Sequence, residues 1–330
     1  MTAPDDASTV LGASGGATEA ALRMPGFDDD VESARRRDDL VLVTTPAVRA
    51  RRHPRAIAAM WAWQTVLALL VSMPAAGLAK AAWRGDAHGD APMWAPGGHA
   101  LLDWLWHDAH GIRAAMGGAE LVLALGAVAG LVPMAALMIT LAYATRDRKA
   151  AGFARSLEGG LRAFWPMVVL LVIAGLLQGA VVGAGALLGH LVEAWAHAGM
   201  GEARAQQLEG VVLVVFLGLA SAVGVVHDLA RAAVVRFKVK GLRAFVLGAR
   251  TFRLAPLSLW WSWAWRSVAA VAPVVAAAAV AGKLGGRGGA ALVFLLLLHQ
   301  AVVAVRVALR TSWLARALRG VDGALRRVRT

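Results

Sequence analysis

Cysteine is absent from the 330 residues, which excludes disulfide bridges and thiolate metal sites. Tyrosine occurs once, and Asp, Glu, Lys and Arg together supply only 17% of the chain, against roughly 25% in an average soluble protein. So little charge argues against a water-soluble domain. Also missing is any apolar stretch in the first 48 residues that would serve as the core of a signal peptide. That segment carries Gly, Ser and Thr, the acidic run Asp28, Asp29, Asp30 and then Arg35, Arg36, Arg37, and it reads as a disordered cytoplasmic tail. No nucleophile motif, phosphate loop or catalytic signature is found. Gly282, Lys283, Leu284, Gly285, Gly286 lacks the Walker A order and reads as a short outside turn. No cofactor is expected.

What the chain does contain is apolar: 58% of its residues are hydrophobic and its mean hydropathy is +0.60. Six apolar runs lie at about 56–80, 119–143, 164–192, 210–235, 257–281 and 289–312. Each is long enough to cross a hydrocarbon core of about 30 Å as a helix. The expected fold class is all-α: a polytopic membrane helical bundle of six transmembrane helices in residues 49–316, flanked by the tail at 1–48 and a basic cytoplasmic tail at 317–330.

The formal charge is +13, and its placement decides what it means. Arg49, Arg51, Arg52 and Arg55 precede the first span. Arg146, Arg148, Lys149, Arg155 and Arg162 lie between the second and third, Arg236, Lys238, Lys240, Arg243, Arg250 and Arg253 between the fourth and fifth, and five arginines follow the sixth. The other side has only Lys80, Arg84, Arg113, Arg204, Lys283 and Arg287. Lys and Arg are retained on the side from which helices insert, so both termini are predicted to be cytoplasmic. The expected partners are anionic lipid headgroups, attractive by roughly 1 kcal/mol per juxtamembrane Lys or Arg. Nucleic acid is not needed to explain the charge.

The spans read as three hairpins. Arg155, Gly160, Arg162 and Phe164 match Arg243, Gly248, Arg250 and Phe252 at an offset of 88 residues, and Pro54, Pro166 and Pro256 stand at or before helix starts, where a missing N–H costs least. Apolar and basic residues alternate at near-helical spacing from Arg148 to Arg162 and from Lys240 to Arg253. Both stretches are therefore expected to be amphipathic elbow helices lying in the headgroup plane. Helices in lipid associate through close backbone approach at small residues, and Gly175, Gly179 and Gly183 recur every four residues on one face of the third span, with Gly126 and Gly130 in the second. That spacing predicts a crowded helix interface, either within the chain or with a second copy or another membrane protein.

Ionisable residues inside a span are expensive and normally face other helices or water. Ser221, Gly224, Asp228 and Arg231 form one stripe on the fourth span, and His299, Arg306 and Arg310 another on the sixth. Counted from the cytoplasmic helix ends, Asp228, Arg266, His299 and Gln64 fall at similar depth. The expectation is a single polar layer in which Asp228 is the counter-ion of Arg266 or Arg306 and also pairs with Arg231. Trp61, Trp63, Trp165, Trp260, Trp261, Trp263 and Trp265 read as aromatic-belt anchors. In the outer loop, His99, Asp103 and His107 share a helical face at four-residue spacing that suits Zn²⁺, but a plain interfacial helix accounts for them and no metal is assigned.

The segment Asp228, Leu229, Ala230, Arg231, followed by Lys238, Lys240, Arg243 and Pro256, resembles an uncharacterised group of bacterial six-span integral membrane proteins with a D-x-A-R motif at the end of the fourth span. The resemblance covers about a third of the chain, implies the same topology and carries no activity with it. Abundant Ala and Arg with rare Lys point to a high-GC bacterial genome. The leading reading is a non-enzymatic inner-membrane scaffold or accessory subunit. The alternative is a transporter or channel for a small solute or lipid, and a membrane enzyme ranks third.

Overall fold

The computed structural model describes residues 40–42, 48, 50, 53–82, 109–145, 152–284 and 289–329. Nine helices occur among them: α1 (Pro54–Ala82), α2 (Ala109–Ala129), α3 (Leu131–Ala142), α4 (Phe153–Arg162), α5 (Phe164–Met200), α6 (Glu202–Phe237), α7 (Gly241–Leu254), α8 (Pro256–Leu284) and α9 (Ala290–Arg329). Two short strands, β1 (Leu40–Leu42) and β2 (Tyr143–Thr145), pair antiparallel with Leu40 opposite Thr145. The expected disordered tail thus contributes one strand; the rest of residues 1–46 lies outside the described residues, as do His99, Asp103 and His107.

Six segments are long and apolar enough to cross a membrane: Pro54–Pro74, Met116–Ala142, Phe164–His197, Glu202–Phe237, Pro256–Leu284 and Ala290–Ala324. The chain is a multi-pass membrane protein built as an all-α bundle. Its spans pack as consecutive hairpins, α1 on α2, α5 on α6 and α8 on α9. Local chemistry sets the boundaries. Pro54 and Pro256 open α1 and α8, and Pro166 sits in the first turn of α5. The second span breaks at Gly130 into α2 and α3 because Pro133 offers no N–H to the carbonyl of Ala129 and its ring crowds it. α6 stops where Lys238 turns left-handed at φ 54° and its N–H bonds back to the Val234 carbonyl at 2.8 Å. The segment expected as a separate tail from residue 317 instead continues α9, with Ala317, Leu318 and Val321 buried.

Burial is concentrated at one end of the bundle. Leu131 to Tyr143, Met167, Leu170, Val225 to Val239, Leu259 and Val307 to Val321 supply most of the buried apolar core, and the arginines and lysines around α4, α7 and the end of α9 lie at this basic end. Away from it, Leu176, Leu187, Val214, Leu217, Val268 and Leu297 are exposed. Two solvents explain the division. An apolar shell is stable against lipid tails, whereas a packed core is required wherever helices leave them. α9 has 40 residues, about 60 Å at 1.5 Å per residue, twice the hydrocarbon thickness.

Helices α4 and α7 stand where elbow helices were expected, and the 88-residue match acquires a physical cause. A Cβ on Gly160 would lie 2.7 Å from the Val132 carbonyl oxygen and 3.2 Å from the Ala136 nitrogen; on Gly248 it would lie 2.7 Å from the Ala230 nitrogen and 2.8 Å from the Val226 carbonyl oxygen. Each elbow lies backbone to backbone on the span before it. The buried faces keep the same register, Ser156 and Gly160 on α4, Ala244 and Gly248 on α7. The glycines singled out in the third span behave otherwise: Gly175, Gly179 and Gly183 are exposed and meet nothing within 4 Å. Within the chain α5 packs on α6 through another face, where Gly185 lies against Phe216.

These close approaches yield a paired prediction. Gly248→Ala forces a methyl group into backbone that has no room to move and is expected to cost about 1–3 kcal/mol, read as a lowered midpoint of thermal unfolding in detergent. Gly179→Ala adds a methyl to open space and is expected to leave that midpoint unchanged or raise it, since Ala is the better helix former by about 1 kcal/mol.

Candidate functional site

Asp228 is the most deeply buried acid of the spans, at 2% exposure. A carboxylate in such a place must be fully paired or it is not tolerated. Arg310 on α9 grips it in a two-pronged fork, Nη1 donating to Oδ2 and Nη2 to Oδ1, both at 2.6 Å. Trp313, one turn further along α9, donates its indole N–H to Oδ2 at 2.8 Å. Arg231, one turn further along α6, donates to Oδ1 at 3.4 Å and reaches Met134 Sδ at the same distance. Four donors on two oxygens exhaust what a carboxylate can accept. The bidentate geometry is the strong form of the pair, and it clamps α6 to α9.

The expected pairing of Asp228 with Arg266 or Arg306 is therefore corrected in its partner: Arg310, one helical turn beyond Arg306, takes the place. Arg266 satisfies itself on Ser262 of its own helix through the hydroxyl at 2.6 Å and the carbonyl, reaches Ser312 Oγ at 3.3 Å, and its guanidinium stands 4.5 Å from the ring centroid of Trp265. Arg306 is exposed and engages no hydrogen bond or ion pair among the described residues. His299 is also exposed; its Nδ1 donates to the Leu295 carbonyl at 2.7 Å on its own helix. It lies 11 residues before Arg310, about 16 Å along the axis, so the single polar layer does not form. The neighbouring Gln300 does link helices, accepting from Thr65 at 3.0 Å through its side chain and from the Trp61 indole at 3.3 Å through its carbonyl.

Gln64, Arg266, Arg306 and Arg310 nevertheless share one place. They line an open cavity of about 490 Å³ between α1, α8 and α9, with Trp263 and Trp313 also in its wall. Arg310 spends its charge on Asp228, while Arg266 and Arg306 face no carboxylate among the described residues, so the cavity is cationic. Counted from Ala290 at 1.5 Å per residue, Arg306 lies about 24 Å and Arg310 about 30 Å along α9, distances comparable to the roughly 30 Å thickness of a hydrocarbon core.

A second buried pair escaped sequence reasoning. Arg236 at the end of α6 donates to Asp322 of α9 at 2.7 Å and to the Ala142 carbonyl at 3.0 Å, while Tyr143 donates to the Val235 carbonyl at 2.9 Å. The only signal available was a lone acid, Asp322, in a segment otherwise basic. Trp260 proves to be more than an interface anchor, since its indole N–H donates to Ser221 at 2.7 Å; Trp165 and Trp261 are exposed as anchors would be.

Compared with known proteins, the chain matches no family model, no curated protein and no solved structure. The geometry alone must carry the functional reading.

Asp228→Asn keeps the shape of the side chain and removes its charge, leaving Arg231 and Arg310 without a counter-ion. The expected loss is about 3–5 kcal/mol, visible as lower accumulation in the membrane and a lower unfolding midpoint. Arg266→Ala removes hydrogen bonds to serines only and is expected to cost roughly 0.5–1.5 kcal/mol. A double-mutant cycle over Asp228 and Arg310 is expected to show coupling above about 1 kcal/mol, whereas one over Asp228 and Arg266 is expected to show none.

Proposed function

We propose that the protein is a non-enzymatic scaffold or accessory subunit of a bacterial inner membrane, with both termini cytoplasmic and its basic end seated on anionic headgroups. The observation that carries this reading is the saturation of Asp228. A carboxylate on a transport path must exchange partners with a proton or solute, and this one has every acceptor site occupied by Arg310, Arg231 and Trp313. Its geometry suits a permanent brace between α6 and α9.

Seating on lipid follows from the cationic cavity. Arg266 and Arg306 converge at headgroup depth with Gln64 beside them, a set of donors that matches a phosphodiester, and Trp263 offers the apolar wall an acyl chain requires. The basic elbows α4 and α7 add further charge at the same end. The open face of Gly175, Gly179 and Gly183 supports a helix of a second copy or of another membrane protein as the scaffolded partner. We also propose kinship with the six-span group bearing D-x-A-R; in this chain Asp228 and Arg231 of that motif join the brace, and Ala230 is the small residue on which Gly248 rests. The transport alternative draws on the same cavity, with lipid or solute as cargo.

Native mass spectrometry of the detergent-purified protein tests the lipid seat. Retained phosphatidylglycerol or cardiolipin is expected, and Arg266→Ala with Arg306→Ala is expected to weaken retention roughly thirtyfold, at about 1 kcal/mol per arginine. Equal retention by the double variant would remove the seat from the proposal. Reporters fused to the two chain ends are expected to be active only on the cytoplasmic face.

A further inference from the structure

The end of the α5–α6 hairpin far from the basic core collects side chains of a different chemistry. α5 and α6 are joined at Gly201, whose φ of 78° makes the reversal, and Glu193 and Glu209 stand eight residues to either side of it, facing each other across the hairpin. His190 sits between them: its Nδ1 lies 3.7 Å from Glu193 Oε2 and 3.7 Å from Glu209 Oε1. The donor atoms of the three residues all lie within 4.8 Å of one another. His197, two turns after His190, places Nε2 3.8 Å from the second oxygen of Glu193.

We propose that His190, Glu193 and Glu209 are the protein ligands of a divalent-cation site, with Zn²⁺ the best-matched ion, and that His197 is a positioning residue acting through Glu193. Three arguments support it. The first is charge. Two carboxylates converge at the end of the hairpin, and no Lys or Arg among the described residues pairs with either, so their mutual repulsion is relieved only by the neighbouring histidines. A divalent cation offsets that repulsion with one ion.

The second argument is geometry. Donors 2.0–2.1 Å from a tetrahedral zinc are about 3.3 Å apart, so the observed 3.7 Å separations close by small side-chain rotations. One imidazole and two carboxylates form a borderline nitrogen and oxygen set that zinc accepts, and the fourth position is left to water. His197 on the free oxygen of Glu193 is the kind of outer contact that orients a ligating carboxylate.

The third argument is the fit of the helices. A Cβ on Gly189 would meet Glu209 Cγ at 3.2 Å, so the glycine lets Glu209 lie flat on α5 and reach His190. Trp195, exposed at 68%, projects from the same stretch of α5 as an interface anchor would, which puts the site beside water and open to ions. The bound cation would pin α5 to α6 at the end that lacks a buried core. The H-x-x-E-x-x-x-H spacing at His190, Glu193 and His197 is visible in the sequence, but Glu209 joins it only through the hairpin.

Full-length protein in detergent micelles, stripped with chelator and dialysed, is titrated with Zn²⁺ by calorimetry and assayed for bound metal. One Zn²⁺ per chain is expected. His190→Ala and Glu209→Gln are each expected to lower affinity at least about a hundredfold and His197→Ala about tenfold, with His99→Ala plus His107→Ala leaving it unchanged. Glu193→Gln, nearly isosteric, stands in if a histidine variant loses its wild-type elution or helical circular dichroism. No stoichiometric zinc, or zinc that survives both His190→Ala and Glu209→Gln, or zinc lost only with His99 and His107, overturns the site.

Discussion

A single carboxylate buried among six apolar spans sets the terms for much of the structure. Removing Asp228 from water is compensated only if strong donors reach both oxygens, and those donors must be held in place by backbone that does not drift. Arg310 and Trp313 come from one helix and Arg231 from the carboxylate's own, so α6 and α9 are locked in both distance and register. The rest of the basic end follows that lock. Arg236 and Asp322 repeat it further along the same two helices, and the strand pair, α4 and α7 fill the space around them.

Packing within the bundle depends on two kinds of contact because it stands in two kinds of solvent. Where helices face lipid, no hydrophobic force holds them and apolar side chains point outward freely. Where they emerge at the basic end, the ordinary burial of Leu, Val, Trp and Met takes over. Close backbone approach at Gly160 and Gly248 belongs to the boundary between the two, where each elbow helix turns onto the preceding span. The cationic cavity opens between α1, α8 and α9 beside the brace, with Arg310 shared by both.

Much of this was legible in advance because composition and periodicity report directly on solvent. Long apolar runs identify spans whatever their neighbours do, and the prolines at 54, 166 and 256 mark starts through local backbone chemistry. The repeated Gly160 and Gly248 were visible as a match, though their purpose was not. Counting depth along each helix put Asp228, Arg266, His299 and Gln64 in one layer; Gln64 and Arg266 line one cavity, whereas His299 lies about 16 Å along α9 from the Arg310 that holds Asp228. Glycine spacing likewise marks a shared face at Gly175, Gly179 and Gly183 without naming its neighbour: within the chain α5 turns a different face to α6.

The amino-acid order by itself determined the six crossings, the hairpin pairing, the basic end and the two elbows, since each depends on local hydropathy, charge or proline chemistry. Tertiary structure alone decided that Asp228 closes on Arg310, that Arg236 closes on Asp322, and that Glu209 meets His190 across the hairpin. Those choices turn on helix rotation and on a few ångströms of approach between segments distant in the chain. No pattern within one helix encodes such rotation; it is set when the apolar faces and small residues of all the spans are packed together.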